Sequence, residues 1–144
     1  MKSTKLLGFA LSLASLMYLT ACDDNNDNHS DGNVAPAGFG ARTMQVTVND
    51  GNGTFSNTGN YTLVTDGAAN ATSGSYNITG DGGTIGDSSG TWTYNRTGTN
   101  TASIVLEDST QGTTTDDLVF DTPKTGTITS SASGGTQNGT FSTN

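Results

Sequence analysis

From Met44 onward the chain alternates. Met44, Val46 and Val48 are apolar, with Gln45 and Thr47 between them. The same two-residue rhythm returns at Tyr61/Leu63, Tyr76/Ile78, Trp92/Tyr94, Ala102/Ile104/Leu106 and Leu118/Phe120, then at Ile128 and Phe141. Successive side chains of a strand point to opposite faces, so a period of two marks strands buried on one side. Thr fills many intervening positions and suits an outward pleated surface. Between the runs stand turn formers: Asn49-Asp50-Gly51, Asp66-Gly67, Asp81-Gly82-Gly83, Thr97-Gly98, Gln111-Gly112 and Gly134-Gly135. They supply positive φ or side-chain caps for hairpins. No stretch of this part combines helical spacing with helix caps.

These signals predict an all-β fold: one small antiparallel meander of about seven to eight strands, closed or nearly closed into a barrel. A β-sandwich is the alternative. The second face offers few apolar residues, among them Val64, Ile85, Val105 and Val119. A sheet with one apolar face must curl or pack on itself. Phe141 lies close to the end of the chain, which places the last strand in the core; pairing with the first strand would remove an exposed edge. Two echoes accompany this, "NGTFSNTG" at 52–59 with "NGTFSTN" at 138–144, and "SGSY" at 73–76 with "SGTW" at 89–92. Their spacing is irregular, which argues against a solenoid.

The start of the chain follows other rules. Lys2 and Lys5 precede an uncharged, largely apolar run from Leu6 to Thr20. As a helix that run spans about 22 Å, short of a ~30 Å hydrocarbon core, and it fits the apolar region of a signal peptide. It ends at Leu19-Thr20-Ala21-Cys22, where the sole cysteine stands. This tetrapeptide resembles the lipobox of bacterial lipoproteins. The resemblance implies residues 1–21 as a signal peptide, cleavage before Cys22, diacylglycerol on the Cys22 sulfur and acylation of the new N-terminus. One chain anchors weakly, at ~0.8 kcal/mol per buried CH₂, whereas two or three anchor firmly. The implied location is the bacterial cell envelope. Asp23, next to the lipidated position, resembles an inner-membrane retention signal in some bacteria and a surface-export signal in others, so both membranes stay open.

After Cys22 the text is "DDNNDNHSDGNVAPAG", acidic and without large apolar residues until Phe39. Such composition does not offset the entropy of ordering. Residues 22–40 therefore read as a lipidated Cys with a flexible acidic tether, reaching about 20–24 Å. The domain proper is expected at 41–144. Beyond the leader only Arg42, Arg96 and Lys124 oppose all 13 acidic residues. That balance opposes binding to nucleic acid, or to anionic headgroups through a basic patch. The expected partners are the membrane, through the lipid on Cys22, and an envelope protein or polymer.

The stretch "GTWTYNRTGTNTASIVL" (90–106), followed by "LVFDTPKTGTI" (118–128), resembles Thr/Gly-rich β repeats of bacterial secreted and envelope proteins. That resemblance supports a β-domain and implies no reaction. A nucleophile with a positioned base is not available: the one histidine, His29, lies on the tether and Cys22 takes lipid. Zinc is disfavoured for the same reason, and "GDGGTIG" at 80–86 lacks the Lys and helix of a phosphate loop. Glu107 with Asp108, near Asp116, Asp117 and Asp121, reads as a solvated turn, because neighbours on a strand point to opposite faces. Calcium at Asp50/Asn52 or Asp81/Asp87 is a minor reading. No catalytic residue, metal or cofactor is therefore assigned. The aromatic residues Trp92, Tyr94, Tyr61 and Tyr76 share the parity of the core, yet they also suit a ligand platform or a small lined cavity. The functional expectation is a lipid-anchored, non-enzymatic binding or structural module, with a small-ligand barrel carrier as the alternative.

Overall fold

The computed structural model describes residues 34–144. Residues 1–21, read above as a signal peptide, and Cys22, Asp23 and His29 lie outside the described residues. Eight strands follow one another: β1 (Thr43–Gly53), β2 (Gly59–Thr65), β3 (Ser73–Thr79), β4 (Ser88–Arg96), β5 (Thr101–Asp108), β6 (Gly112–Thr122), β7 (Thr125–Ala132) and β8 (Gly135–Thr143). Each pairs antiparallel with the next, and β8 returns to β1, so the meander closes into a barrel. The sandwich alternative is thereby set aside.

Closure follows from the alternation. The inward positions include Met44, Val46, Leu63, Trp92, Ile104, Leu118 and Phe141, all buried in one cluster. The outer face is Thr, Ser and Asn, and Val64 and Val119 are its exposed large apolar side chains. This is the reverse of a barrel set in lipid, which carries its apolar band outside. The outer face is built for water.

Two-residue connections set the register. Ala132 pairs with Gly135 across Ser133-Gly134, where Gly134 takes φ +95°, a conformation that disfavours a side chain. Across Pro123-Lys124, the Thr122 hydroxyl oxygen accepts from the backbone N–H of Lys124 and Thr125. A bulge between Val48 and Asp50 bends β1, which continues beside β8 as far as Gly53↔Gly135. β1 parts from β2 earlier, at Val48↔Gly59. The β1–β8 ribbon therefore rises past one end of the barrel.

The opposite end is plugged. Residues 34–40, read as the end of a flexible tether, pack against the barrel instead. Ala35 and Phe39 are fully buried. Phe39 stacks on Tyr94 at 5.5 Å and 17°, and the Arg42 guanidinium lies over the Phe39 ring, 5.5 Å from its centroid. The segment also hydrogen-bonds: Val34 N–H donates to Thr99 O, Phe39 N–H to Ala71 O, and Tyr94 Oη–H to Pro36 O. The packed domain thus already includes Val34. Two anchoring side chains and this backbone pairing offset an ordering cost that composition alone suggests is unmet.

Candidate functional site

The end away from the plug is open. Of the four connections at this end, three line the opening: residues 54–58 between β1 and β2, 80–87 between β3 and β4, and 109–111 between β5 and β6. The first two hold each other. Asn57 Nδ2 donates to Thr84 O at 2.7 Å, and Thr84 Oγ1 donates to Thr58 O at 2.8 Å. Asp81 braces its own loop by accepting from the N–H groups of Gly83, Thr84 and Ile85. These bonds hold its carboxyl well below the usual carboxylate range.

Within this rim lies a cavity of about 260 Å³. One wall is apolar and aromatic: Phe55, Tyr61, Tyr76, Ile78 and Leu106. The other is polar, and register explains why. Asp116 on β6 pairs with Ser130 on β7, and Ser130 pairs with Gln137 on β8. All three occupy positions of inward parity, Asp116 two residues before Leu118, Ser130 two after Ile128, and Gln137 four before Phe141. They form a polar row across three neighbouring strands, and Asp116 and Gln137 line the cavity.

Asp116 is the singular member. It is 1% exposed, and among the described residues neither carboxylate oxygen has a hydrogen-bond partner; Ser130 Oγ likewise has none. Burial pushes its carboxyl up to about 6, against a lowering influence from the nearby Ser130 hydroxyl and a smaller raising one from Asp117. Each oxygen exposes under 1 Å², so the carboxylate sits just beneath the cavity surface. Tyr61 feels it: burial first, then the Asp116 charge, raises the phenol well above its ordinary value. An unpartnered buried carboxylate is costly and uncommon in folded proteins.

Asp108 at the rim is the opposite case. Its oxygens accept from Ser88 Oγ at 2.7 Å and from the N–H groups of Thr110 and Gln111 at 2.6 and 2.9 Å. These bonds hold its carboxyl below the ordinary range and occupy it in capping the turn. Ser88 Oγ also lies 3.1 Å from Tyr76 Oη, so tyrosine, serine and aspartate form a chain along the rim.

The four aromatic candidates divide between the open end, the core and the plug. Tyr61 and Tyr76 line the cavity. Trp92 is buried in the core, with its indole nitrogen unpartnered, and Tyr94 serves the plug. Glu107 is exposed on the outer face, as expected for a solvated strand end. Asp116 departs from the solvated reading given to its neighbourhood. Its parity with Leu118 and Phe120 was the available signal, outweighed by the adjacent Asp117. Among the described residues no three His, Cys, Asp or Glu side chains converge as a metal site. Asp50 and Asp87 accept instead from Asn138 Nδ2 and Gly80 N–H. No helix among the described residues is long and apolar enough to cross a membrane. No family model, curated protein or solved structure matches the chain.

Proposed function

We propose that this chain is a lipid-anchored protein of the bacterial cell envelope whose barrel holds a small molecule at its open end, by binding rather than by chemistry. The anchor rests on the lipobox-like Leu19-Thr20-Ala21-Cys22 after a short apolar run. The water-facing outer surface suits a domain held beside a membrane rather than within it. The observation that carries the binding reading is the cavity with the unpartnered Asp116 against it. Such a polar group repays its desolvation when a ligand supplies the missing partner. At about 260 Å³ the space falls just under the ~300 Å³ of drug-sized sites, so the ligand is smaller than those. Asp108 is committed to its turn, leaving one uncommitted carboxylate at the cavity. A pair working across a cleft needs two.

Native mass spectrometry tests both halves. Protein extracted from its own membranes in a non-ionic detergent should begin at Cys22, carry acyl mass there and retain a non-covalent small molecule. The Thr114→Phe variant, which fills the cavity, should lose that molecule. A bare thiol behind an intact Met1 overturns the anchor. Wild-type and Thr114→Phe protein that are equally ligand-free overturn the binding reading.

A further inference from the structure

The reading of the open end as a binding site carries a statement about charge. Among the described residues its charged lining groups are Asp108 and Asp116, with no Lys or Arg. Arg42 and Arg96 belong to the plugged end, where Arg42 covers Phe39 and Arg96 donates to Ala35 O. An anion would meet a buried negative charge and no counterion. A neutral ligand would leave the ionised form of Asp116 uncompensated. A cation with N–H donors meets both needs of the carboxylate, charge and hydrogen bonds.

The geometry extends this. The polar row crosses β6, β7 and β8, while Tyr61, Tyr76, Ile78 and Leu106 supply the apolar lining, with Ser88 and Asp108 beside Tyr76 at the rim. A ligand filling the space therefore has one donor head and an apolar or aromatic body. Aromatic faces also attract a positive head group. A bare metal ion uses only the polar row and leaves the apolar wall without a role.

We infer that the cavity takes a small organic ammonium compound, its N–H donors on Asp116 and its apolar body against Tyr61, Tyr76 and Leu106. The carboxylate oxygens lie just under the surface, so a lining side chain turns aside to admit the ammonium. Gln137, half-buried in the same lining and paired with Ser130 beside Asp116, is one side chain with the rotatable bonds to do so. Tyr61 from β2, Tyr76 from β3, Asp108 from β5 and Asp117 beside it on β6 are the other titratable groups around Asp116. The phenols stay neutral at physiological pH and Asp108 stays charged, so binding follows Asp116 and weakens in acid.

Calorimetric titration of the full chain in non-ionic detergent with 2-phenylethylammonium, 2-phenylethanol and 3-phenylpropionate tests this. These share a body and differ in the charge of the head. The ammonium should bind tightest, and Asp116→Asn should weaken it about tenfold, the size of a charge-assisted hydrogen bond, while leaving 2-phenylethanol nearly unchanged. The Asn variant keeps the side-chain shape, and its circular dichroism verifies the barrel. If the alcohol or carboxylate binds as well as the ammonium, or Asp116→Asn leaves ammonium affinity intact, the inference on ligand class fails and the binding site survives. If none of the three binds wild type, the site reading fails as well.

Discussion

Four inward glycines of the strands lie opposite larger apolar side chains. Gly74 pairs with Trp92 and Gly90 with Tyr76, so the "SGSY" and "SGTW" echoes are reciprocal: each strand's aromatic covers its neighbour's glycine. Gly126 stands between Phe120 and Phe141, whose rings meet edge to face at 5.1 Å. Gly139 stands between Val48 and Ile128. Small positions opposite large ones let a narrow barrel fill its interior without voids. A Cβ at Gly126 would lie 2.0 Å from Val119 O and 2.9 Å from the Phe141 ring. Gly126→Ala should therefore lower stability by about 2–3 kcal/mol, the cost of overpacking a dense core, read as a fall in the urea midpoint at unchanged m. An unchanged midpoint would show that both the Phe141 ring and the backbone at Val119 have room to give way. The apolar half of this pattern is visible in the sequence as alternation. The glycine half is not, because a glycine reads as a turn until the register is known. Asp116 was concealed in a similar way: an acid beside another acid looks solvated, and only the cross-strand pairing with Ser130 shows that it faces in.

At the scale of elements, the strands were legible and the ends were not. Turn residues and period-two runs mark β1 to β8 because each is a local property of consecutive residues. What closes the barrel ends is long-range. The segment Val34–Phe39 carries no periodicity; it orders because Phe39 finds Tyr94, and Thr65 Oγ1 donates to Phe39 O. Gly38 and Gly40 allow this approach, since a Cβ at either would strike the backbone of Asn70 or Ala68. Phe39→Ala should cost about 3–5 kcal/mol, as for other buried aromatics, and uncover the Tyr94 ring. Because the plug and the cavity lie at opposite ends, ligand affinity should hold while the thermal midpoint falls. Parallel melting and binding curves check this, and a matched loss of affinity would show that the two ends are coupled. The rim of the open end is likewise built from contacts between separate connections, Asn57 to Thr84 and Ser88 to Asp108, whose partners are far apart in the chain. The sequence therefore marks where turns occur and leaves unstated that three of them share one mouth.

For the molecule as a whole, acidic residues divide into two kinds that pull stability in opposite directions with pH. Asp81 and Asp108 sit in rim turns where hydrogen bonds favour the charged form, chiefly from backbone N–H groups for Asp81 and from the Ser88 hydroxyl, then backbone N–H groups, for Asp108, so their carboxyls titrate below the ordinary 3.8. Their contribution is complete above that value and is lost as the solution is made more acid. Asp116 behaves inversely. Its folded value, pushed up to about 6, exceeds the ordinary 3.8 of the unfolded chain. Between these two values the folded barrel holds a proton that the unfolded chain has released. Stability from this group is thus complete below the lower value and falls as pH rises toward the upper one, by about 3 kcal/mol in all. Combining the two kinds, the ligand-free barrel should be most stable near pH 4, which is more acid than the usual optimum of about 5–8. Urea midpoints measured from about pH 3 to 8 should peak near 4 and decline to a plateau above 6. In Asp116→Asn the decline should flatten while the acid-side loss remains, because Asp81 and Asp108 are untouched. A wild-type profile flat between 4 and 7, or an equal slope in the variant, would mean that Asp116 acquires a partner in the free protein. An ammonium ligand should have its largest stabilising effect on the plateau, where the folded carboxylate is charged and most in need of a counterion.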